Sequence, residues 1–475
     1  MNKTFALTSI ALATSAIIAC GGSDNKSGGS SLPDLQSNAV DNKPFVAEGS
    51  LAASTDCAAS TADDTVADNY VNMACAAFED SLIMAKEFQT AVNTFTADTS
   101  EANLEAARVA YKKMRKPYQQ AEIMRFDEPF AAGTTGIENV DAWEGGLNAW
   151  PLDESQINFI VNKDGTGSTD TVDEDLIDAK NGVDANGDDD EAAVTTGFHA
   201  IEYVLWDRDE NSEGPGSRAA SEFANIDNSC TDTSVDGDCR LSQYLTVATD
   251  KVVADLEDMV AQWDATAIST DGSLAQVFLD NDQKVDYIFQ SVANMSVGEL
   301  GGARLSAGLW RDASDLESIE IGADATFKEG DREEEHDCFS DLSHYAVYYN
   351  FIGVANAFQG SYTRVDGSVV SGPSFIDFVK DNAGASYSND IINKLGEAKA
   401  GLDVVFAAGE NGSKSFDQII GDSEAFYANG EAKTAELEAL ESAITALGDA
   451  EPLFTEAVRI LNLDGFDADG IGETD

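Results

Sequence analysis

The segment GFHAIEYVLW, residues 197–206, places a histidine and a glutamate where they can act together. His199 is one of only three histidines in 475 residues, and Glu202 follows three positions later. Residues three apart share one face of a helix, so the imidazole and the carboxylate can point at the same object. Both groups suit iron, zinc or manganese. The pattern predicts either a metal site or a core histidine whose ring is satisfied by a hydrogen bond.

A second set of polar side chains lies in RKPYQQAEIMRF and steps by three, four and three residues. The members of this stripe are Arg115, Tyr118, Glu122 and Arg125. On a helix they share one face, and Pro117 is expected to kink that helix. If the stripe is buried, its charges need partners.

Three further segments carry polar groups in unusual settings. NMSVGELGGARLSAGL sets Glu299 and Arg304 among small residues, which allow helices to approach closely. EEEHDCFSDLSH contains His336 and His344 among acids, a pattern more typical of an exposed loop than of a site, and Cys338, which we expect to be buried. EGGLNAWPLDE ends in a Trp-Pro turn.

The charge of the chain limits its partners. With 87 acidic against 28 basic residues, the net charge is -59. Such a surface repels nucleic acid and anionic lipid head groups, and it raises the local concentration of cations. Nucleic acid is therefore excluded as a partner.

The elements that must position these residues are helices. Apolar residues recur every three or four positions in several long segments, for example through Val71, Phe78, Ala85 and Val92. The pattern predicts an all-α fold of two packed helical bundles with long acidic loops. We expect the first bundle at 56–265 and the second at 274–475, separated by the polar segment DATAISTDGS.

The acidic stretch 162–193 is expected to form a long surface loop. We reject an EF-hand there and near the C-terminus, because GVDANG and GFDADG both have glycine where the first aspartate ligand is required.

The N-terminus predicts a bacterial lipoprotein. Residues 1–19 have the charge and apolar run of a signal peptide, and IIAC resembles the site at which lipoproteins are cleaved and acylated on Cys20. Residues 20–55 then form a flexible tether. Because Gly21 follows the cysteine, the sorting rule of Gram-negative cells predicts attachment to the outer membrane.

Four other cysteines suggest an oxidising compartment. Cys230 and Cys239 bracket a polar turn and form one candidate disulfide, and Cys57 and Cys75 form a second. Sequence alone does not fix this connectivity.

Six segments together resemble the imelysin-like family: RKPYQQAEIMRF, EGGLNAWPLDE, GFHAIEYVLWDRD, GPGSRAASEF, GELGGARL and EEEHDCFSDLSH. The last two are most similar to its iron-regulated protein A branch. The resemblance implies two packed helical bundles, a Gly-x-His-x-x-Glu motif in the first, and a functional site between them. It also implies a link to bacterial iron acquisition, and the family is classed with the M75 metallopeptidases. Asp207 departs from the glycine that many relatives have after the tryptophan.

With this resemblance, we expect His199 and Glu202 to ligate a metal. Glu122 is the third candidate ligand, because Arg115 and Arg125 would keep it ionised. Those arginines could instead bind a carboxylate or a carbonate-like anion. The candidates for anion binding or for support of the ligands are Arg115, Tyr118, Arg125, Glu299, Arg304 and His336.

Two functions remain open. In the first, a cell-envelope lipoprotein captures iron or an iron complex and serves other iron-uptake proteins. In the second, His199 and Glu202 hold a catalytic metal such as zinc, whose bound water attacks a peptide bond. The His-Glu-x-x-His motif is absent from the sequence, and no second histidine lies close along it. The sequence therefore favours metal binding over proteolysis.

The lipoprotein hypothesis predicts that Cys20→Ser abolishes acylation, because the thiol is the acceptor of the lipid. Incorporation of labelled palmitate in cells should fall to background in this variant. A wild-type chain that takes up no label would refute the hypothesis.

Overall fold

The protein is built from α-helices, as predicted. The computed structural model describes residues 33, 35–36, 65–125, 138–162, 167–184, 186–209, 214–223, 237–264, 274–312, 327–328 and 330–463. The α-helices within these ranges are α1 (Val66–Ala97), α2 (Glu101–Ala121), α3 (Glu138–Leu147), α4 (Ser155–Val161), α5 (Glu174–Asp178), α6 (Gly197–Trp206), α7 (Gly237–Trp263), α8 (Leu274–Asp280), α9 (Lys284–Ala293), α10 (Ser343–Gln359), α11 (Phe375–Ala383), α12 (Ala385–Glu410), α13 (Phe416–Tyr427) and α14 (Ala435–Leu461).

Shorter elements connect these helices. One π-helical segment, Asn294–Arg304, continues directly from α9. The 3-10 turns are Glu122–Met124, Ala220–Glu222 and Arg332–Glu334. The strands form two antiparallel pairs: β1 (Arg311–Asp312) with β2 (Phe327–Lys328), and β3 (Ser361–Thr363) with β4 (Val369–Ser371).

Helix α1 shows how apolar spacing produces the core. Thr65 caps it by accepting a hydrogen bond from the backbone N–H of Asp68, whose carboxylate accepts one from the Thr65 backbone in return. The predicted apolar stripe, including Phe78 and Phe88, is buried. It packs against α2 and α7. Burial of this face is the main source of the stability of the helix.

Helix α10 joins the helices of the two predicted bundles. It packs against α2 on one side and against α12 and the π-helical segment on another. Gly353 permits the contact with α2, because a Cβ there would lie 2.7 Å from the carbonyl oxygen of Gln120. Residues Pro33–Asp475 form one compact unit, and the boundary between bundles near 265–274 stays a prediction.

The segment 162–193 contains more structure than the predicted surface loop. Helix α5 lies within it and packs against α7, and Ile177 is buried. Acidic residues on either side of Ile177 remain exposed. The sequence predicted the polar surface of this segment but missed its apolar anchor.

Several predictions concern residues outside the described ranges. They are the signal peptide at 1–19, Cys20, Cys57 and Cys230. Within the predicted tether, Leu35 is fully buried and the Gln36 amide donates to Asn356 Oδ1 at 2.9 Å, so this short piece packs on the helices. No helix among the described residues is long and apolar enough to span a membrane.

The cysteine pairings are only partly visible. Cys75 on α1 takes part in a disulfide, and Cys239 lies in α7. Both proposed partners, Cys57 and Cys230, are outside the described residues, so the two pairings stay predictions. Cys338 is buried, as predicted.

Helix α6, which carries His199 and Glu202, is buried along its whole length. It begins at Gly197, whose φ of +82° is in the left-handed region that favours glycine. A Cβ at this position would lie 2.4 Å from the carbonyl oxygen of Leu147 at the end of α3. The end of α3 therefore approaches the motif closely at its glycine. Trp206 closes the helix by packing edge-on against Tyr111.

We predict that Gly197→Ala destabilises the fold more than a matched change elsewhere. Gly412 has a similar φ of +68° but open space around its Cβ position, so Gly412→Ala measures the backbone cost alone. The clash with Leu147 should add about 2 kcal/mol or more to the loss of unfolding free energy. Chemical denaturation of both variants gives this difference, and equal losses would contradict the close contact.

Candidate metal centre

The rings of two histidines lie in contact at helix α6. His199 lies on this helix, and His336 follows the 3-10 turn Arg332–Glu334; their ring centroids are 4.7 Å apart at an interplanar angle of 80°. Together with Asp337 they offer three donor atoms that all lie within 4.8 Å of one another. All three residues are buried. The prediction of an exposed EEEHD loop is therefore wrong for Glu335, His336 and Asp337.

Each of these histidines has a carboxylate beside its Nδ1 atom. His199 Nδ1 is 3.1 Å from Glu202 Oε2, and His336 Nδ1 is 2.8 Å from Asp337 Oδ2. When a carboxylate accepts a hydrogen bond from Nδ1–H, the ring proton stays on Nδ1 and the lone pair of Nε2 is free to bind a metal. Histidine ligands in proteins are commonly oriented in this way.

The Nε2 atom of His199 has no hydrogen-bond partner among the described residues, although the side chain is fully buried. Buried polar atoms are almost always satisfied, by protein groups or by ordered water. An unpartnered imidazole nitrogen in a residue that groups with two other potential ligands therefore indicates a ligand position.

Glu202 is held from its other side by the segment after His336. Its Oε1 accepts hydrogen bonds from the backbone N–H of Ser340 at 2.9 Å and from the Ser340 hydroxyl at 2.5 Å. Burial and the nearby charge of Asp337 raise the pKa of Glu202 well above its usual value, and the Ser340 donors only partly oppose this. If His199 Nε2 held a cation, Nδ1 would carry the ring proton and Glu202 would accept from it as a carboxylate.

Arg115 on α2 fixes the second histidine through Asp337. Its Nη2 is 2.9 Å from Asp337 Oδ1, and neither side chain is more than 1% exposed. Burial by itself would raise the pKa of Asp337, but Arg115 and His336 hold it well below its usual value. Asp337 is therefore ionised at neutral pH and available to orient His336 or to ligate a cation.

Both imidazoles are neutral at pH 7. Burial, and next the charge of Arg304, lower the pKa of His336 to about 4, although Asp337 opposes the shift. Burial, followed by His336 and Arg115, lowers the pKa of His199 well below its usual value. Neutral imidazole is the form that binds metal ions.

The other predicted residues form an adjacent charged network. Arg304 in the π-helical segment donates to Glu122 Oε2 at 2.6 Å and to Glu299 Oε2 at 3.0 Å. Arg125 donates to Glu299 Oε1 at 3.2 Å. Burial raises the pKa of Glu122 despite Arg304, whereas Arg304 and Arg125 overcome burial and lower the pKa of Glu299.

The predicted ligands thus lie in different places. His199 belongs to the group of three residues that offer donor atoms. Glu202 lies beside the Nδ1 atom of the His199 ring. Glu122 accepts hydrogen bonds from Arg304 and Asn148. Direct ligation by Glu202 or Glu122 stays a prediction. Tyr118 is buried with its ring 4.5 Å from that of Phe198, and it supports the packing of α6 against α2.

Sequence reasoning missed Asp337 and Ser340. The available signal was the Cys-Phe pair that follows Asp337, since apolar residues so close to an acid indicate that the segment enters the core. The three consecutive glutamates before His336 hid this signal, because such runs are usually solvated.

A cavity of about 710 Å³ opens beside the centre. Its lining includes His336, Trp150, Glu144, Glu299, Arg125 and Arg304. His199 is not part of this lining and lies behind His336, with its ring centroid 5.0 Å from that of Trp150. A small ligand would therefore reach the centre from the His336 side.

The fold and site define a helical protein with a candidate metal centre beside a charged cavity. A sequence model of imelysin, the M75 peptidase family, matches residues 74–446, and the chain belongs to this family.

Two solved structures are similar to the chain. One is described as an iron-regulated protein A precursor from Parabacteroides distasonis, with 17% identity, a TM-score of 0.52, and coverage of 85% of this chain and 94% of that one. The other is an imelysin-like protein from Psychrobacter arcticum, with 16% identity, a TM-score of 0.48, and coverage of 87% and 97%. No curated protein matches the chain in sequence.

The pKa of His336 predicts a pH-dependent stability of the metal-free protein. The folded state keeps this ring neutral down to about pH 4, whereas the unfolded chain protonates it near pH 6.5. Unfolding therefore takes up a proton between these values, and stability falls as the pH is lowered through this window. A shift of this size corresponds to about 3 kcal/mol.

His336→Gln removes this contribution. The stability of the wild type relative to this variant should decrease as the pH falls from 6.5 to 4, measured by urea denaturation at each pH. If the difference in unfolding free energy between wild type and variant does not change with pH, His336 has the same pKa in the folded and the unfolded protein.

Proposed function

We propose that this protein captures iron, or a small iron complex, at His199, His336 and Asp337 as part of bacterial iron acquisition. The observation that carries the proposal is the unpartnered, fully buried Nε2 of His199. It belongs to a group of three residues that each offer one donor atom within 4.8 Å of the other two. Two imidazoles and one carboxylate form a donor set that proteins use for Fe(II).

The residues around this centre prepare the donors. Glu202 orients the ring of His199, and Arg115 keeps Asp337 ionised beside His336. Because Glu202 loses a proton when Nε2 is occupied, metal binding should release protons and strengthen as the pH rises. The protein offers neutral nitrogen and one charged oxygen, a set that suits iron better than calcium or magnesium.

The cavity supports binding of an ion that carries a small chelator. Its volume admits a compact carboxylate ligand. Arg311, Arg125 and Arg304 all border the cavity, and the last two are already balanced by Glu122 and Glu299. The chelator would therefore be held mainly through the metal rather than through an excess of positive charge.

We propose that the protein lies in the cell envelope, anchored to the outer membrane through lipid on Cys20. This part of the proposal rests on the signal peptide pattern and the IIAC motif. A strongly acidic surface on such a protein would attract cations towards the cavity. The captured metal would then pass to other proteins of iron uptake.

The peptidase alternative needs a general base near the metal. Four described acids line the cavity, and two of them, Glu191 and Glu334, are exposed to solvent. Glu299 accepts hydrogen bonds from two arginines, and its lowered pKa makes it a weak base. Glu144 lies 3.8 Å from Arg125 Nε. Metal capture is therefore the function that the geometry supports best.

We predict that His199→Ala weakens Fe(II) binding at least about 100-fold, because it removes a direct ligand. Glu202→Gln should cost about 10 to 100-fold, the usual effect of losing the partner that orients a ligand. His344→Ala is the matched control, since His344 is also buried but bonds to Glu410 and the backbone oxygen of Asp341. Anaerobic calorimetric titration with Fe(II) measures all three affinities.

Two results would change the proposal. Equal Fe(II) binding by the wild type and a His199→Ala, His336→Ala double variant would remove these residues from the centre. Zinc-dependent cleavage of a casein substrate by the wild type that disappears in His199→Ala would favour the peptidase.

A further inference from the structure

Three buried carboxylates converge at the two ends of the segment that carries His336 and at the start of α13. Glu335 precedes His336, Asp341 lies just before α10, and Asp417 lies in the first turn of α13. One oxygen of each lies within 4.8 Å of the other two. Their side chains belong to residues that are 0%, 8% and 2% exposed, respectively.

These carboxylates lack the partners that buried acids require. Both oxygens of Glu335, Oδ1 of Asp341 and Oδ2 of Asp417 have no hydrogen-bond partner among the described residues. The Ser343 hydroxyl lies near Glu335 but is not in bonding geometry, and the Ser415 hydroxyl donates to the other oxygen of Asp417. No described lysine or arginine forms an ion pair with any of the three carboxylates.

Protonation alone does not resolve this arrangement. Burial and the charges of Asp417 and Asp209 raise the pKa of Asp341 to about 8, so repulsion can be relieved by proton uptake. A protonated Glu335 can donate to a neighbouring carboxylate, but its second oxygen would remain a buried acceptor without a partner among the described residues. A bound cation would satisfy oxygens from all three residues at once and cancel their repulsion.

We infer that Glu335, Asp341 and Asp417 bind a divalent hard cation, with calcium as the ion that fits best. The donors are all oxygens, which select calcium, magnesium or manganese over softer metals. One oxygen of each residue lies within 4.8 Å of the other two, as ligands of a single ion require. Ca²⁺ accepts six to eight oxygens in a flexible geometry, whereas Mg²⁺ demands a near-ideal octahedron and keeps several waters. The inference does not depend on the function proposed for the histidine centre.

A cation bound to these three carboxylates would neutralise their charge and also hold two parts of the fold together. Glu335 and Asp341 bracket the segment that presents His336, Asp337 and Ser340. Through Asp417 the cation would tie this segment to the start of α13. The oxygen site would therefore hold in place the residues of the neighbouring nitrogen-containing centre.

The test is calorimetric titration of chelator-treated full-length protein with CaCl₂ and, separately, MnCl₂. A background of about 150 mM KCl screens the acidic surface, since the Debye length is then about 8 Å. We expect one saturable equivalent of Ca²⁺ and a rise in the melting temperature. Glu335→Gln should reduce the affinity at least about tenfold. Glu438→Gln, which makes the same change on an exposed acid of α14, should bind as the wild type does.

The histidine variants separate the two sites. A His199→Ala, His336→Ala double variant should retain Ca²⁺ binding, and loss of binding there would assign the ion to the histidine centre instead. If neither Ca²⁺ nor Mn²⁺ shows saturable binding to the wild type, the inference is wrong. This outcome does not depend on whether Glu335→Gln folds. Equal affinity of Glu335→Gln and the wild type would also overturn the inference.

Discussion

The buried ion pair between Arg115 and Asp337 is the contact on which the candidate metal centre depends. It joins α2 to the segment that presents His336, and water has almost no access to either side chain. Removing one partner of such a pair typically costs about 3–5 kcal/mol, because the other charge stays buried alone. The pair also keeps Asp337 ionised next to the His336 ring. One interaction therefore sets the packing of two segments and the chemical state of the centre.

The interior balances its charges, whereas the surface does not. The chain carries a net charge of -59, yet Arg304 bridges Glu122 and Glu299 inside the protein, and Arg125 shares Glu299. The π-helical segment supplies two of these residues, and its wider turn is a form often found at functional sites. The Glu335, Asp341 and Asp417 group stands apart, since its charges meet no basic side chain among the described residues.

The sequence was informative where the decisive contacts are local. Helical spacing correctly predicted the all-α fold and placed His199 and Glu202 on one face of α6. It also placed Arg115 and Tyr118 on one helix, although α2 ends at Ala121, so Glu122 and Arg125 of the predicted stripe lie beyond it. It could not reveal that Asp337 pairs with Arg115, because periodicity describes one helix face and not its partner 222 residues away. The burial of Glu335 was equally hidden, since consecutive acids are normally solvated and only tertiary packing shows otherwise.

The long separation between bonded residues has a consequence for how the centre forms. Arg115 and Asp337 are 222 positions apart, Glu122 and Arg304 are 182 apart, and Glu202 and Ser340 are 138 apart. Such loops must close, with loss of chain entropy, before any of these contacts stabilises the protein. A fragment that ends before residue 336 contains the complete Gly-x-His-x-x-Glu motif but only one of the two imidazoles. The residues of the candidate centre therefore come together only when segments from both ends of these loops have packed against each other.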